Sequence, residues 1–233
     1  SKEETFIAIA GARPYGNYAP LALSDDGSVA FITTWNGLLV DEGGGGLFSI
    51  DLLSGTPTRL DVDENDKTFT YQGWSIDSDQ VDITPDGKFV VFSLRDTADS
   101  LTWGEQRVNI FVKNIESGEI KVASSNGSEA SSGYASNPGI SRDGRYVFFE
   151  STENLTNSEL NTNLPNGATN LFLKDLDSGS IEQINIDANG DRFGTGGTNW
   201  SASIDDKASI VVFQSQEKLS SNDTSSLNDI YAR

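Results

Sequence analysis

One pattern recurs four times along the chain, and a repeat of this length dictates architecture before any other feature. The copies are LALSDDGSVAFITT from Leu21, VDITPDGKFVVFSL from Val81, PGISRDGRYVFFES from Pro138 and SASIDDKASIVVFQS from Ser201, starting 60, 57 and 63 residues apart. In each, a short apolar run meets an Asp-Gly-type turn, and a second run ends on Phe31, Phe92, Phe149 or Phe213. Asp-Gly between apolar stretches supplies the positive φ of a tight hairpin. Asp26, Asp86 and Asp143 recur once per copy and therefore read as turn residues rather than as a functional set.

A third apolar run follows in every copy: LFSID from Leu47, NIFVKN from Asn109, NLFLKD from Asn170 and DIYAR from Asp229. After the first three come Ser-Gly turns and a fourth run, TPTRLDV, EIKVAS and SIEQIN. No stretch of useful length has helical periodicity. Four antiparallel strands per repeat make a propeller blade. The fourth copy stops before its own fourth strand, while ETFIAI from Glu4 has no blade of its own. The pattern thus predicts an all-β fold: a β-propeller of four blades of four antiparallel strands, with an N-terminal strand closing the last blade. The whole chain, 1–233, reads as one domain, with blades at about 18–62, 78–124, 135–186 and 199–233, the last joined by residues 4–10.

The segments SNPGISRDGRYVFFESTENL from Ser136 and NLFLKDLDSGSIEQIN from Asn170 carry a family resemblance. They resemble the WD40-like (PD40) repeats of TolB-type β-propellers, especially secreted bacterial versions with long Asn/Asp-rich loops. The likeness extends over nearly the whole chain and departs from the pattern at GGGG from Gly43 and DDKA from Asp205. It implies a propeller with a general role in protein or ligand binding, and no catalytic residues.

Charge and composition narrow the function classes. Sixteen basic against 35 acidic residues give a net charge of −19, which repels nucleic acid and anionic membrane surfaces. No apolar run approaches the roughly eighteen residues of a membrane span, and SKEETFIAIAG lacks the form of a signal peptide. A start without Met suits a mature form or an excised segment. The acidity and the lack of Cys suit an extracellular or cell-surface bacterial protein, with a periplasmic location as the alternative. With neither His nor Cys, the chain can build no Ser-His-Asp or Cys-His triad and no His-based zinc site. A pair of carboxylates could still hydrolyse a glycosidic bond. GGGG at Gly43 to Gly46 lacks the Lys-Ser/Thr of a phosphate loop and reads as a blade connection.

Two loops suggest calcium. DVDEND offers Asp61, Asp63 and Asn65 at alternate positions with Asp66 adjacent, and DANGD offers Asp187, Asn189 and Asp191. Alternate Asp/Asn in a tight loop can turn several oxygens toward one cation, although neither loop has the twelve-residue EF-hand pattern, and ordinary solvated turns have the same composition. Asp223 and Asp229 form a weaker candidate set. Trp35, Trp74, Trp103 and Trp200 fall outside clear strand cores and suit either a ligand-binding face or gaps between blades. The leading expectation is a non-catalytic extracellular module that binds a protein or glycan through a loop-rich face, with calcium stiffening the loops. The alternatives are a spacer or assembly unit of a large surface adhesin, and a carboxylate-based glycan-active enzyme.

Overall fold

The computed structural model describes residues 18–34, 45–62, 65, 68, 80–95, 108–127, 133–156, 169–187, 202–224 and 227–233. Within them the chain forms four antiparallel sheets whose strands are neighbours in sequence order. Sheet 1 is β1 (Tyr18–Leu23), β2 (Val29–Thr34), β3 (Gly46–Asp51) and β4 (Pro57–Arg59). Sheet 2 is β5 (Val81–Ile83), β6 (Phe89–Arg95), β7 (Val108–Asn114) and β8 (Ile120–Val122). Sheet 3 is β9 (Ala135–Ile140), β10 (Tyr146–Ser151), β11 (Asn170–Asp175) and β12 (Ile181–Gln183). Sheet 4 is β13 (Ala202–Ile204), β14 (Val211–Ser215) and β15 (Asp229–Ala232). The first strands touch in succession, β1 on β5, β5 on β9 and β9 on β13, so the sheets fan out from a line of inner strands as propeller blades do.

The repeated hairpin turns work as their chemistry requires. Gly27, Gly87 and Gly144 have φ of 69°, 71° and 74°. The preceding Asp closes each turn: Asp26 accepts from the Ser24 hydroxyl at 2.7 Å and the Ser28 amide at 3.0 Å, and these bonds lower its pKa to about 2. In the fourth copy Ala208 takes the glycine's place at φ 54°, a strained position for a residue with a Cβ. At the inner end the turns converge, with the Asp25 amide donating to the Pro85 carbonyl at 2.6 Å and Arg142 paired with Asp25.

Alternation along each strand gives every sheet a back face toward the preceding sheet and a forward face toward the next. Phe31 and Leu47 of sheet 1 meet Val90 and Phe92 of sheet 2. Val91 and Ile110 of sheet 2 meet Val147, Phe149 and Phe172 of sheet 3. Phe148 and Leu171 of sheet 3 meet Val211, Phe213 and Tyr231 of sheet 4. The back faces of sheets 2, 3 and 4 each carry a stacked aromatic pair: Phe92–Phe111, Phe149–Phe172 and Phe213–Tyr231, with centroids 6.2, 5.9 and 5.8 Å apart. Phe31 is not the partner in register of Phe92, Phe149 and Phe213, as the sequence pattern had suggested. Ile32 holds that position, and Phe31 points forward.

A basic side chain ties each later sheet to the one before. Lys113 Nζ donates to the Val62 carbonyl at 2.9 Å, and Lys174 Nζ to the Ser125 carbonyl at 2.8 Å and the Gly179 carbonyl at 2.9 Å. Arg233 reaches the Ile186 carbonyl at 3.4 Å. Lys113, Lys174 and Arg233 face Val90, Val147 and Val211 across the ladder; the residue facing Ala30 in sheet 1 is Ile50.

The expected closure of the ring, sheet 4 against sheet 1, is absent among the described residues. Val212 and Ile230, which correspond to the buried Phe31/Leu47, Val91/Ile110 and Phe148/Leu171, are 40% and 69% exposed. The back face of sheet 1, Ile32, Phe48 and Ile50, is buried in a cluster of its own that includes no described residue of sheet 4. Among the described residues it has neither the stacked aromatic pair nor the basic tie of sheets 2 to 4. Residues 4–10, expected to close the last blade, lie outside the described residues, where sheet 4 has three strands.

Candidate functional site

The residues singled out from sequence have different fates. Trp35, Trp74, Trp103 and Trp200 lie outside the described residues, as do Asp63, Asp66, Asn189 and Asp191. Asn65 is exposed and Asp187 half-buried. No group of three or more Asp or Glu side chains able to hold a metal occurs among the described residues.

Asp61 is fully buried, and its carboxylate is engaged by the protein itself. Oδ1 accepts the Leu47 amide and Arg59 Nε, each at 3.0 Å, and Oδ2 accepts Arg59 Nη2 at 3.0 Å. Arg59 also donates to the Gly45 carbonyl at 2.8 Å and lies 5.3 Å from the centroid of the Phe48 ring. Gly46 leaves room for it, since a Cβ there would sit 2.7 Å from Arg59 Nη2. The same slot recurs fourteen residues after Leu47, Ile110 and Leu171, equivalent residues near the start of the third strand. Ser124 accepts the Ile110 amide at 2.9 Å, and Asn185 accepts the Leu171 amide at 3.0 Å. Asp61 therefore corresponds to Ser124 and Asn185, and Asp187 lies two positions beyond that slot.

Between the inner strands of sheets 2 and 3 lies a polar network that periodicity did not reveal. Gln80 pairs with Asn137 twice, Nε2 to Oδ1 and the Asn137 amide to Oε1, both at 3.1 Å. Asn137, at φ 51°, passes Nδ2 to Glu150 Oε1 at 3.1 Å, and Thr169 donates to Glu150 Oε2 at 2.7 Å. Asp82 accepts the Ile140 amide at 3.0 Å across the same seam. Burial pushes the Glu150 and Asp82 carboxyls above their ordinary values, against the hydrogen bonds that favour ionisation.

Glu150 is 5% exposed, and because its folded-state pKa is raised, the native state holds its proton more tightly than the unfolded chain does. Its contribution to stability is present in acid and is lost as pH rises from the ordinary glutamate value through the raised one. Glu150→Gln is expected to match the protein below that window and to be the more stable above it, as read by urea unfolding across pH. A variant less stable at neutral pH would mean that the charge itself is needed.

A groove of about 420 Å³ opens where the outer parts of sheets 2 and 3 meet. Phe89, Val112 and Leu176 line it together with Glu119, Lys121, Asp143, Arg145 and Asp177. Gly144 shapes it, because a Cβ there would come 2.3 Å from Phe89 Cδ2. Arg145 is held by Asp175 through two bonds, of 3.0 and 2.8 Å, and lies 5.0 Å from the Tyr146 ring centroid. That contact holds the Asp175 carboxyl well below the usual range and raises the guanidinium's pKa. Arg145 Nε also lies 3.4 Å from Asp177, and Lys121 lies 3.6 Å from Glu119, so the two cations are shared among four carboxylates, Asp175 and Asp143 included, and the net charge here is negative.

No protein-family profile matches the chain, and no curated protein does. Solved structures share its fold. The tricorn protease aligns at 14% identity over 85% of this chain and 19% of its own, with a TM-score of 0.57. Oligogalacturonate lyase from Vibrio parahaemolyticus aligns at 14% identity over 89% of this chain and 50% of its own, with a TM-score of 0.51. A protein assigned as TolB from Agrobacterium tumefaciens gives 20% identity over 86% of this chain and 55% of its own, at a TM-score of 0.49. The chain thus spans about a fifth to a little over half of these proteins. The two higher-scoring likenesses agree with the propeller-like, all-β arrangement of the sheets, and at such identities they speak to fold alone.

Proposed function

We propose that the chain is a non-catalytic, propeller-class binding module that holds a basic, partly apolar segment of a protein partner in the groove between sheets 2 and 3. The observation that carries this reading is a groove whose lining sets the partly exposed Phe89 and Leu176 beside three carboxylates, Glu119, Asp143 and Asp177, against two cations, one of which Asp175 also holds. A Lys or Arg side chain can lay its aliphatic stem on Phe89 and Leu176 and place its cation beside Asp143 and Asp177. The net charge of −19 steers such a ligand inward. An extracellular setting, with calcium in the loop that begins at Asp187, belongs to the same reading, the cation serving to stiffen the loop.

The test is titration with labelled peptides that contain Lys-Phe or Arg-Leu pairs, against matched peptides with Glu in place of the basic residue. Basic peptides are expected to bind, and Glu119→Lys/Asp177→Lys to weaken them by about tenfold or more. Equal binding of the acidic set, or no effect of the double reversal, would assign the groove no such role.

A further inference from the structure

Arg145 brings a cation of the protein's own to the groove between sheets 2 and 3. Its fork is spent on Asp175: Nε donates to Oδ1 at 3.0 Å and Nη2 to Oδ2 at 2.8 Å. Asp175, 12% exposed, is in turn fixed by the Ser178 hydroxyl at 2.8 Å and the Asp177 amide at 3.0 Å. Asp177 is held differently. Arg145 Nε lies 3.4 Å from Asp177 Oδ2, but that nitrogen carries a single hydrogen, which Asp175 already accepts. The contact is therefore Coulombic, and the Asp177 side chain is 71% exposed where it lines the groove.

The repeat does not impose this arrangement. In sheet 2, Lys88 and Asn114 stand where sheet 3 has Arg145 and Asp175, and Lys88 pairs with Asp86 of its own turn at 3.3 Å. Sheet 1 has Ser28, Asp51 and Leu53 in the places of Arg145, Asp175 and Asp177.

We infer that Arg145 is a built-in competitor for Asp177, a step that rests on the basic-peptide reading of the groove. In the free protein the guanidinium shares its charge between Asp175 and Asp177. A ligand's ammonium or guanidinium brings Asp177 the hydrogen-bond donors that Arg145 cannot spare, and takes that carboxylate while Arg145 stays on Asp175. The ligand thus replaces a Coulombic contact with a charge-assisted hydrogen bond. Arg145 moderates the affinity without touching the ligand.

A double-mutant cycle with a labelled Arg-Leu peptide tests this. Arg145→Gln, checked for folding by urea unfolding, is expected to tighten binding by about twofold to fivefold, the scale of an exposed ion pair. Asp177→Asn should weaken binding, and adding Arg145→Gln to Asp177→Asn should then change nothing further. Asp175→Asn completes the test from the other side: it frees the fork for Asp177, so it should weaken binding in the wild type and leave the Asp177→Asn variant unaffected. If Arg145 acted only through the field of its charge, Arg145→Gln would tighten binding equally with and without Asp177. That result would overturn the competition and leave the groove a basic-peptide site. Weaker binding by Arg145→Gln would overturn it too, because the guanidinium would then be a contact of the ligand. If neither the wild type nor Arg145→Gln binds the peptide, the reading of the groove itself fails, and the competition with it.

Discussion

Asp61→Ala is expected to destabilise the protein by about 3–5 kcal/mol, the range for removing one partner from a buried ion pair. Arg59 is itself nearly enclosed, with a side chain 9% exposed, so its guanidinium would keep the Gly45 carbonyl but lose both carboxylate oxygens. The Leu47 amide would lose its acceptor in the same step, at the edge where β3 runs into the segment after β4. Asp61→Asn separates the two effects: it retains an acceptor for Leu47 and gives up the charge, and should fall between the wild type and the alanine variant. The measurement is urea unfolding, run once in calcium and once in chelator. Because every bond to the Asp61 carboxylate described above comes from the protein, the loss should be the same in both. If it appeared only in calcium, the carboxylate would be acting as a metal ligand, and the ion pair with Arg59 would be secondary.

How much of this was legible in the sequence depends on the range of the interaction. The turns were, because Asp26, Asp86 and Asp143 act on amides two residues away and need no partner from elsewhere. The strand runs and their order were legible for the same reason, and all fifteen described strands fall within the four repeats. Face assignment was harder. Phe31 was grouped with Phe92, Phe149 and Phe213 by residue type, whereas the ladder aligns Ala30 with Val90, Val147 and Val211, which puts Ile32 in that place. A shift of one residue reverses the face.

DVDEND, rich in carboxylates, suggests a cation loop that starts at Asp61, whereas the partner the structure shows for that carboxylate is Arg59, two residues earlier on the same side of an extended chain. Lys113 and Lys174 left a visible trace too: a cation at the same point of two apolar strands, which is costly unless a buried acceptor awaits it. Ring closure could not be judged without knowing what each face carries. Sheets 2, 3 and 4 are held by aromatic pairs and basic ties, and sheet 1 offers Ile32 and Ile50 at the corresponding places. The groove and the Glu150 network form only when sheets 2 and 3 meet, and no local pattern encodes that meeting.

Phe149→Ala should cost about 3–5 kcal/mol, as for other buried phenylalanines, and the distribution of the damage tests the arrangement of the sheets. Phe149 is fully buried, stacks on Phe172 and packs in one cluster with Val91 and Ile110 of sheet 2. Its loss leaves a cavity between two sheets that are each covered on both faces, so neither can move to fill it without disturbing a second interface. Phe213 holds the same place in sheet 4 and stacks on Tyr231. There the far side of the sheet is open at Val212 and Ile230, and the sheet can settle toward sheet 3. Phe213→Ala should therefore cost less. Hydrogen exchange should show Phe149→Ala lowering protection in sheets 2 and 3 together, and Phe213→Ala lowering it chiefly in sheet 4, as expected when each unit is held by its nearest neighbours. Equal costs, with protection lost evenly around all four sheets, would require sheet 4 to be packed on both sides.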